Sequence, residues 1–396
     1  MTVLVVSNVR PWGDPPADVV ITDGVVTEVV PAGSAPAGDD RLDGGGSLAL
    51  PGFVNAHAHV DKSWWGQPWV PAGGAASTRE RIAYERGHRE RLGIPNVAST
   101  TAVLRELLRH GTTAVRTHVD VDLGTGLRGL DRVREAAAAL DDAVELTIVA
   151  FPQDGVLRRP GVLDLLERAA ASGAAGIGGI DPASLDRDPV AQLDGLFAIA
   201  ERHGTWLDIH LHDRGELGAF QYELIIDRTL ATGLRGRVTI SHGFALGELP
   251  PDRQEQLLDR LAEAGISGTT VAPVRTAPLP WPGLRDRGLP LGLGTDGIRD
   301  LWSPYGDGDL LRVALDFARL HGLSTDEDLT RVVELATVGG APFVHRASHG
   351  LVPGARADLV LLDAENVPDA LVRAPRRRLV LAGGRPVVRD GEPLAG

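Results

Sequence analysis

The sequence predicts an α/β protein, a (β/α)8 TIM barrel with a small β-sandwich domain formed by both chain termini. Between Gly52 and Val344, strand-like apolar runs alternate with helical runs. Before and after this region, the chain has β-rich segments separated by turn residues. The expected domains are therefore a β-sandwich from residues 1–50 and 346–396, and a barrel from residues 51–345.

Both ends of the chain consist of short strand-like runs separated by turn residues, which indicates a single sandwich built from both termini. The N-terminal end contains VLVVSNV, DVVITDG and VVTEVVP, and later SLALPG; Asp23-Gly24 within it is a hairpin signal. The C-terminal end contains ADLVLLD and RLVLAGGRPVVRDG. The chain's basic run, Arg376–Arg378, lies in this part and is interpreted as a solvated surface turn.

The middle region predicts eight strands with helices between them. The candidate strands are GFVNAHAH, TTAVRTHV, VELTIVAFP, AGIGGI, TWLDIHLH, RVTISH, ISGTTVAP and LPLGLGTD. The intervening runs carry apolar residues at i, i+3 and i+4 and often end in glycine, as amphipathic helices do. The irregular loop from Trp64 to Arg79 is expected to lie over the site. Because such barrels place active sites at the carboxyl ends of their strands, polar residues at these ends are the candidates.

Composition excludes several classes of protein. The 396 residues are 43% hydrophobic, enough for a large core, and the net charge of −13 argues against a nucleic-acid partner. The absence of cysteine excludes disulfides, thiolate ligands, cysteine nucleophiles and the zinc deaminases built on a PCxxC motif. No apolar run reaches membrane-spanning length and the N-terminus lacks signal-peptide features, so a soluble, cytoplasmic protein is expected.

The segment PGFVNAHAHVDK, residues 51–62, ends the first candidate strand with two histidines. Alternate residues of a strand point to the same face, so His57 and His59 have the geometry of two metal ligands. Lys62 follows three positions later and is the single lysine of the chain. A coding bias towards arginine explains the other positions but not this exception, so we consider a specific role for Lys62.

Three later strand ends supply further candidate ligands. His210 and His212 share one face of the fifth strand, so either could reach a metal ion. His242 ends the next strand and Asp296 ends the last. Three imidazoles and one carboxylate suit Zn²⁺ or Fe²⁺ and leave a position for water.

Several motifs resemble the cytosine deaminase branch of the amidohydrolase superfamily. They are HAHVDK, TTAVRTHVDV, IVAFPQDG, the HxH after strand five, SHG and the GTDG…W run. The resemblance covers essentially the whole chain and implies one divalent ion, Zn²⁺ or Fe²⁺. The ligands that it implies are His57, His59, His210 and Asp296.

The resemblance also implies roles around the ion. His242 would hydrogen-bond the attacking hydroxide, and Gln153 would read a carbonyl and a ring N–H. Trp302 would pack against the ring, which Gln153, Lys62 and Trp302 together would hold. His118 would support a ligand rather than bind the ion. The strand-four run GIGGID offers no lysine to bridge two metal ions, so a mononuclear centre is expected.

Two positions depart from the cytosine deaminase pattern. Asp213 stands at the position where cytosine deaminases have a glutamate that protonates the ring nitrogen. The aspartate side chain is shorter and reaches less far. The candidate proton donors are therefore Asp213, His212 and Glu216. Gly297 stands where an acid follows the metal aspartate, so a larger and less charged pocket is expected. Lys62 and the HxH pair are similar to the branch that removes N-alkylamines from s-triazines.

The expected reaction is hydrolytic removal of ammonia or an amine from an amino-substituted nitrogen heterocycle. Asp296 would take the proton of the attacking water and deliver it to the leaving amine. The alternatives are an N-alkylamino-triazine or other cyclic amide or amidine hydrolase, and a catalytically silent barrel that acts as a binding protein. The expected partners are a small heterocyclic substrate and, because relatives are often oligomeric, further copies of the chain.

Overall fold

The structure, a computed structural model, describes residues 1–71, 73–74 and 77–394 and contains two β-sheets. The N-terminal strands are β1 (Val3–Pro11), β2 (Ala17–Thr22), β3 (Val25–Pro31), β4 (Asp40–Asp43) and β5 (Leu48–Pro51). The middle strands are β6 (Phe53–Ala58), β7 (Thr112–Asp120), β8 (Glu145–Phe151), β9 (Gly176–Ile180), β10 (Trp206–Leu211), β11 (Val238–His242), β12 (Ser267–Thr270) and β13 (Leu291–Leu293). The C-terminal strands are β14 (Leu359–Leu362), β15 (Arg377–Ala382), β16 (Arg385–Arg389) and β17 (Glu392–Pro393).

Strands β6 to β13 stand side by side in chain order, and the pairs between them are parallel. The sheet closes where the chain after β13 meets β6, because the Asp296 N–H donates to the His57 carbonyl at 3.0 Å. Ala58 and Asp296 also form a parallel bridge at this seam. Each predicted barrel strand is present, so the predicted fold class is confirmed.

Helices lie between the barrel strands and after them. They are α1 (Thr78–Leu92), α2 (Val97–Arg109), α3 (Arg128–Ala138), α4 (Val162–Ala171), α5 (Pro189–His203), α6 (Gly215–Ala231), α7 (Ala245–Glu248), α8 (Pro251–Ala264), α9 (Trp281–Asp286), α10 (Leu310–Leu320), α11 (Asp326–Leu335) and α12 (Val367–Arg373). A π-helical turn spans Pro182–Asp186 and a 3₁₀ helix spans Val338–Val344. Among the described residues, no helix is long and apolar enough to cross a membrane.

Helix α1 begins where the irregular loop of residues 64–79 was expected to continue. Ser77 caps its first turn, since the Ser77 side chain accepts from the Glu80 N–H and the Glu80 side chain accepts from the Ser77 N–H. The predicted loop also includes residues 72, 75 and 76, which lie outside the described residues. This helix supplies one wall of the candidate site through Glu85.

The second sheet combines both ends of the chain, as predicted. Its order is β17-β16-β15-β14-β5-β1-β2-β3, with β4 beside β1. Antiparallel pairing of β5 with β14 joins the two ends, with Leu48 opposite Leu362. Apolar side chains from both ends, among them Val19 and Leu381, share one core. The domain boundaries at residues 50 and 346 stay a prediction.

The interpretation of Arg376–Arg378 as a solvated turn is wrong for its central residue. Arg377 belongs to β15, is 2% exposed and forms an ion pair with Asp309, the N-cap of α10. Its guanidinium also donates to the His110 carbonyl at 3.0 Å. Arg377 therefore links the terminal sheet to two helices of the barrel, through partners that are distant in sequence.

Candidate active site

The four predicted metal ligands meet at the carboxyl ends of the barrel strands. His57 Nε2 and His59 Nε2 lie 3.7 Å and 3.4 Å from Asp296 Oδ1. His210 Nε2 lies 3.4 Å from His59 Nε2. The strands β6 and β10 and the turn after β13 thus direct three imidazoles and one carboxylate to one point.

The turn that carries Asp296 fits only because Gly294 has no side chain. A Cβ at position 294 would collide with the backbone of His57. Asp296 itself has φ 58°, a left-handed conformation that aspartate adopts more readily than most residues. Asn55 fixes the same turn, because its side chain accepts from the Thr295 N–H at 3.2 Å. The close approach of the two backbones therefore places the Asp296 carboxylate beside His57 of β6 and His59, which follows it.

The chemistry of this donor set fits one divalent metal ion. Burial lowers the pKa of His59 and of His210 well below the usual value, so both imidazoles offer a lone pair. His57 Nε2 is buried without a hydrogen-bond partner among the described residues. Burial alone would raise the pKa of Asp296, but the neighbouring His57, His242 and His59 side chains hold it well below its usual range. Neutral imidazoles and an ionised carboxylate are ligands that Zn²⁺ and Fe²⁺ accept.

Asp208, a buried carboxylate that was not predicted, supports His57 through the Ser241 hydroxyl. Asp208 of β10 accepts from the Ser241 hydroxyl at 2.6 Å, and Ser241 Oγ lies 3.1 Å from His57 Nδ1. Burial alone would raise the pKa of Asp208, but His118 and Arg116 hold it well below its usual range. The charged carboxylate therefore orients Ser241, which in turn orients the His57 ring. Asp208 and His210 are two positions apart, so both side chains point to the same face of β10. This spacing could have identified Asp208 from the sequence.

His118 lies in the same buried network. Its Nε2 is 3.0 Å from Asp208 Oδ2, and burial lowers the pKa of His118 to about 4. Its ring also lies within 4.8 Å of candidate ligand atoms of His57, His59 and His210. The supporting role expected for His118 stays a prediction.

The three predicted substrate-binding residues form a second group, at the ends of β6 and β8 and after β13. The Lys62 ammonium donates to the Gln153 side-chain oxygen. It lies 5.4 Å from the centre of the Phe151 ring and 5.9 Å from that of Trp302. An ammonium, an amide and two aromatic faces together suit a flat heterocycle with polar edges.

Carboxyl groups that were not singled out surround Lys62. Asp120 Oδ1 lies 2.9 Å from the Lys62 ammonium, and Glu85 of α1 accepts from the Trp302 indole N–H. Burial alone would lower the pKa of Lys62, but Asp120, Glu85 and Asp61 raise it above its ordinary value. Lys62 is therefore charged, and acidic side chains lie around its ammonium group.

The candidate proton donors lie in different surroundings. His212 Nδ1 is 2.9 Å from Asp181 Oδ2, and the His212 ring stacks on His242 with 4.4 Å between ring centres. Asp213 instead accepts from the Gln221 amide at 2.9 Å, and Glu216 is exposed in the first turn of α6. Of the three candidate donors, His212 therefore packs against His242, and the carboxylates of Asp213 and Glu216 do not.

Contacts with the Asp181 carboxylate hold His212 against His242. Asp181 follows β9 with φ 32°, and its Oδ1 accepts from the His212 N–H at 2.6 Å. Burial alone would lower the pKa of His212, but the Asp181 carboxylate raises it above its ordinary value. Asp181 was not singled out, although it directly follows the predicted fourth strand.

Comparisons with known proteins agree with this architecture. The sequence profile of the amidohydrolase family matches residues 94–395. N-isopropylammelide isopropyl amidohydrolase of Pseudomonas sp. (strain ADP) is 30% identical over 364 residues, which cover 89% of this chain and 88% of that protein.

Two solved structures extend the likeness to the whole chain. The crystal structure of N-isopropylammelide isopropylaminohydrolase from Burkholderia multivorans superposes with a TM-score of 0.95 at 42% identity and covers 100% of both chains. The structure of 5-methylcytosine deaminase from Klebsiella pneumoniae, liganded with 5-fluorocytosine, gives a TM-score of 0.82 at 25% identity and covers 98% of this chain and 97% of that one.

Proposed function

The chain belongs to the amidohydrolase family, and we propose that it removes ammonia or an amine from an amino-substituted nitrogen heterocycle by hydrolysis. The observation that carries the proposal is the pairing of two groups in one site. His57, His59, His210 and Asp296 converge at one end, and the Lys62, Gln153 and Trp302 group lies close by. The first end suits a divalent ion and the second suits a flat polar ring.

Under this proposal, the four converging residues hold one ion, Zn²⁺ or Fe²⁺. Such an ion supplies a nucleophilic hydroxide near neutral pH, because it lowers the pKa of a water that it holds. Asp296 is 39% exposed at its side chain and is ionised, so it can accept a proton and pass it to the leaving nitrogen. His242 lies beside His57, with 4.9 Å between ring centres, where it can hydrogen-bond the attacking oxygen.

The substrate that we place first is an N-alkylamino-substituted triazine. Relatives at 42% and 30% identity are an N-isopropylammelide isopropylaminohydrolase and an N-isopropylammelide isopropyl amidohydrolase, whereas the 5-methylcytosine deaminase is 25% identical. The Gln153 carboxamide has a donor and an acceptor, which suits a ring edge with a carbonyl next to an N–H. Cytosine-like and pterin-like rings are the second class.

An amine-release screen tests the proposed function. The purified protein, loaded with Zn²⁺ or with Fe²⁺, is given N-isopropylammelide, cytosine, isocytosine, isoguanine, pterins and creatinine. We expect about one equivalent of bound metal and stoichiometric release of ammonia or amine from one ring class. A new carboxylate without amine release would indicate a ring-opening amidase. No turnover and no bound metal would favour a silent binding protein.

His212→Gln is expected to lower kcat by a factor of about 10² to 10⁴, the usual contribution of a positioned general acid. The reason is that His212 carries a proton held by Asp181 and borders His242, so it is the donor best placed for the ring nitrogen. Steady-state amine release measures the effect, and metal analysis shows whether the centre is intact.

Asp213→Asn is the matched comparison for His212→Gln. Its carboxylate accepts from Gln221 and from the Ser184 N–H, so the variant is expected to change thermal stability more than kcat. A larger loss of kcat in Asp213→Asn than in His212→Gln would assign the proton to Asp213 and contradict the role of His212.

A further inference from the structure

Helix α1 buries an acidic side chain although most of its residues are polar. Its buried side chains are Ile82 and Glu85, and Glu85 is 4% exposed. The Glu85 carboxylate accepts a hydrogen bond from the Trp302 indole N–H. Burying a carboxylate is costly unless hydrogen bonds compensate, so an acid here adds little to the stability of α1. Glutamate at this position is therefore better explained by its contact with Trp302.

Two ion pairs fix α1 on the barrel close to Glu85. Arg86 Nη1 lies 2.6 Å from Asp154 Oδ2, in the turn after β8. Arg89 Nη2 donates to Asp122 Oδ1, after β7, at 2.8 Å. Because both acidic partners follow barrel strands, the position of Glu85 is set relative to the strand ends that carry the candidate site.

The backbone of Trp302 is fixed by Asp300. Asp300 Oδ1 accepts from the Trp302 N–H at 2.8 Å and from the Ser303 N–H at 2.7 Å. A Cβ at position 297 would collide with the Asp300 carboxylate. The space beside Gly297 is therefore filled by a carboxylate, contrary to the expectation of a larger and less charged pocket.

The Trp302 ring has a defined orientation, since Asp300 holds its backbone and Glu85 holds its indole N–H. The Lys62 ammonium lies over this ring, 5.9 Å from its centre. Ile82, on the same helix as Glu85, belongs to an apolar cluster against which Trp302 packs. The indole N–H of a packed tryptophan usually has a hydrogen-bond partner, and here that partner also decides which way the ring faces. Glu85 therefore acts on the aromatic wall from outside the ring-holding group.

We propose that Glu85 is a positioning residue, which holds the Trp302 indole in the orientation that packs against the substrate ring. The inference rests on the proposed function and adds a residue of α1 to the support of its ring-holding group. An aromatic wall contacts the ring in the ground state and in the transition state alike. Loss of its orientation should therefore raise KM and leave kcat nearly unchanged.

The test compares two substitutions of Glu85 with the substrate that the amine-release screen identifies. Glu85→Gln keeps a side-chain oxygen that can accept from the indole N–H, and Glu85→Leu removes the acceptor at similar size. We expect Glu85→Leu to raise KM about tenfold, because it leaves a packed donor without a partner. Glu85→Gln should recover most of the wild-type KM. A wild-type KM in Glu85→Leu would overturn the inference.

Trp302→Phe shows whether Glu85 acts through the indole. Phenylalanine keeps an aromatic ring but has no N–H for Glu85 to hold. In Trp302→Phe, the addition of Glu85→Leu should therefore raise KM no further, whereas the same rise in both backgrounds would contradict the role. Glu90→Leu is the control, because Glu90 is exposed on the same helix, and it should keep the wild-type KM.

Failure of the proposed function gives a different result, because the hydrogen bond has a readout that needs no turnover. The ¹H–¹⁵N signal of the Trp302 indole is identified by its loss in Trp302→Phe. Glu85→Leu should move this signal upfield, as loss of a hydrogen bond does, and Glu85→Gln should move it less. This pattern in an enzyme that releases no amine would refute the proposed function and support the positioning of Trp302. An unchanged signal in Glu85→Leu would overturn the inference.

Discussion

His57→Ala and Asp296→Asn are each expected to abolish amine release while the protein stays folded. His57→Ala removes a converging imidazole, and Asp296→Asn removes both a ligand and the proton acceptor. We therefore expect kcat to fall by at least about 10⁴-fold, the upper end of what general acid–base catalysis contributes. Asparagine is chosen at position 296 because φ is 58° there, and asparagine tolerates that conformation.

Three measurements are needed for this prediction. Amine release gives kcat, elemental analysis gives the bound metal and circular dichroism reports folding. His203→Ala is the control, because this histidine ends α5 and pairs with Glu167, away from the site. It should retain both metal and activity. Wild-type activity in His57→Ala would contradict the assignment of this cluster as the metal centre.

Arg377→Met is expected to lower the free energy of unfolding by about 3–5 kcal/mol, the usual cost of leaving one partner of a buried ion pair uncompensated. Asp309 would stay buried, and His110, 3.4 Å away, would be its remaining charged partner among the described residues. The contact from Arg377 to the His110 carbonyl would also be lost. Denaturant unfolding, followed by tryptophan fluorescence, measures the change.

The neighbouring arginine provides the matched control. Arg376 has a 69% exposed side chain and pairs with Glu392, which is equally accessible to solvent. Arg376→Met should therefore change the free energy of unfolding by no more than about 1 kcal/mol, as exposed ion pairs do. Equal effects of the two substitutions would show that the buried contacts of Arg377 do not stabilise the fold.

Local sequence patterns predict much of the fold, but they do not predict helix α1. The barrel strands are short apolar runs with glycine-terminated helices between them, so their order can be read along the chain. Helix α1 lacks such a pattern, because its buried side chains are Ile82 and Glu85 alone. Its capping box and the contact of Glu85 with Trp302 define it, and the second of these depends on the tertiary structure.

The candidate site also contains residues that the sequence identifies and residues that only the structure identifies. His57 and His59 could be proposed because their spacing on a strand is visible in the sequence. Spacing left His210 and His212 open, and the family resemblance favoured His210. The close approach of Asp300 to Gly297 could not be proposed from the sequence, because it depends on how the turn after β13 folds. The proton donor also stayed open, since only the turn at Asp181 decides that His212 faces His242 while Asp213 turns towards α6.

The barrel seam, where Asp296 meets His57, has a consequence for biosynthesis. The two residues come from the first and last barrel strands, so most of the chain must leave the ribosome before they can meet. Pairing of β5 with β14 requires still more of the chain. Under the proposed function, the complete metal site can therefore form only late in synthesis, after Asp296 has left the ribosome, and metal binding then contributes to the folding of the barrel.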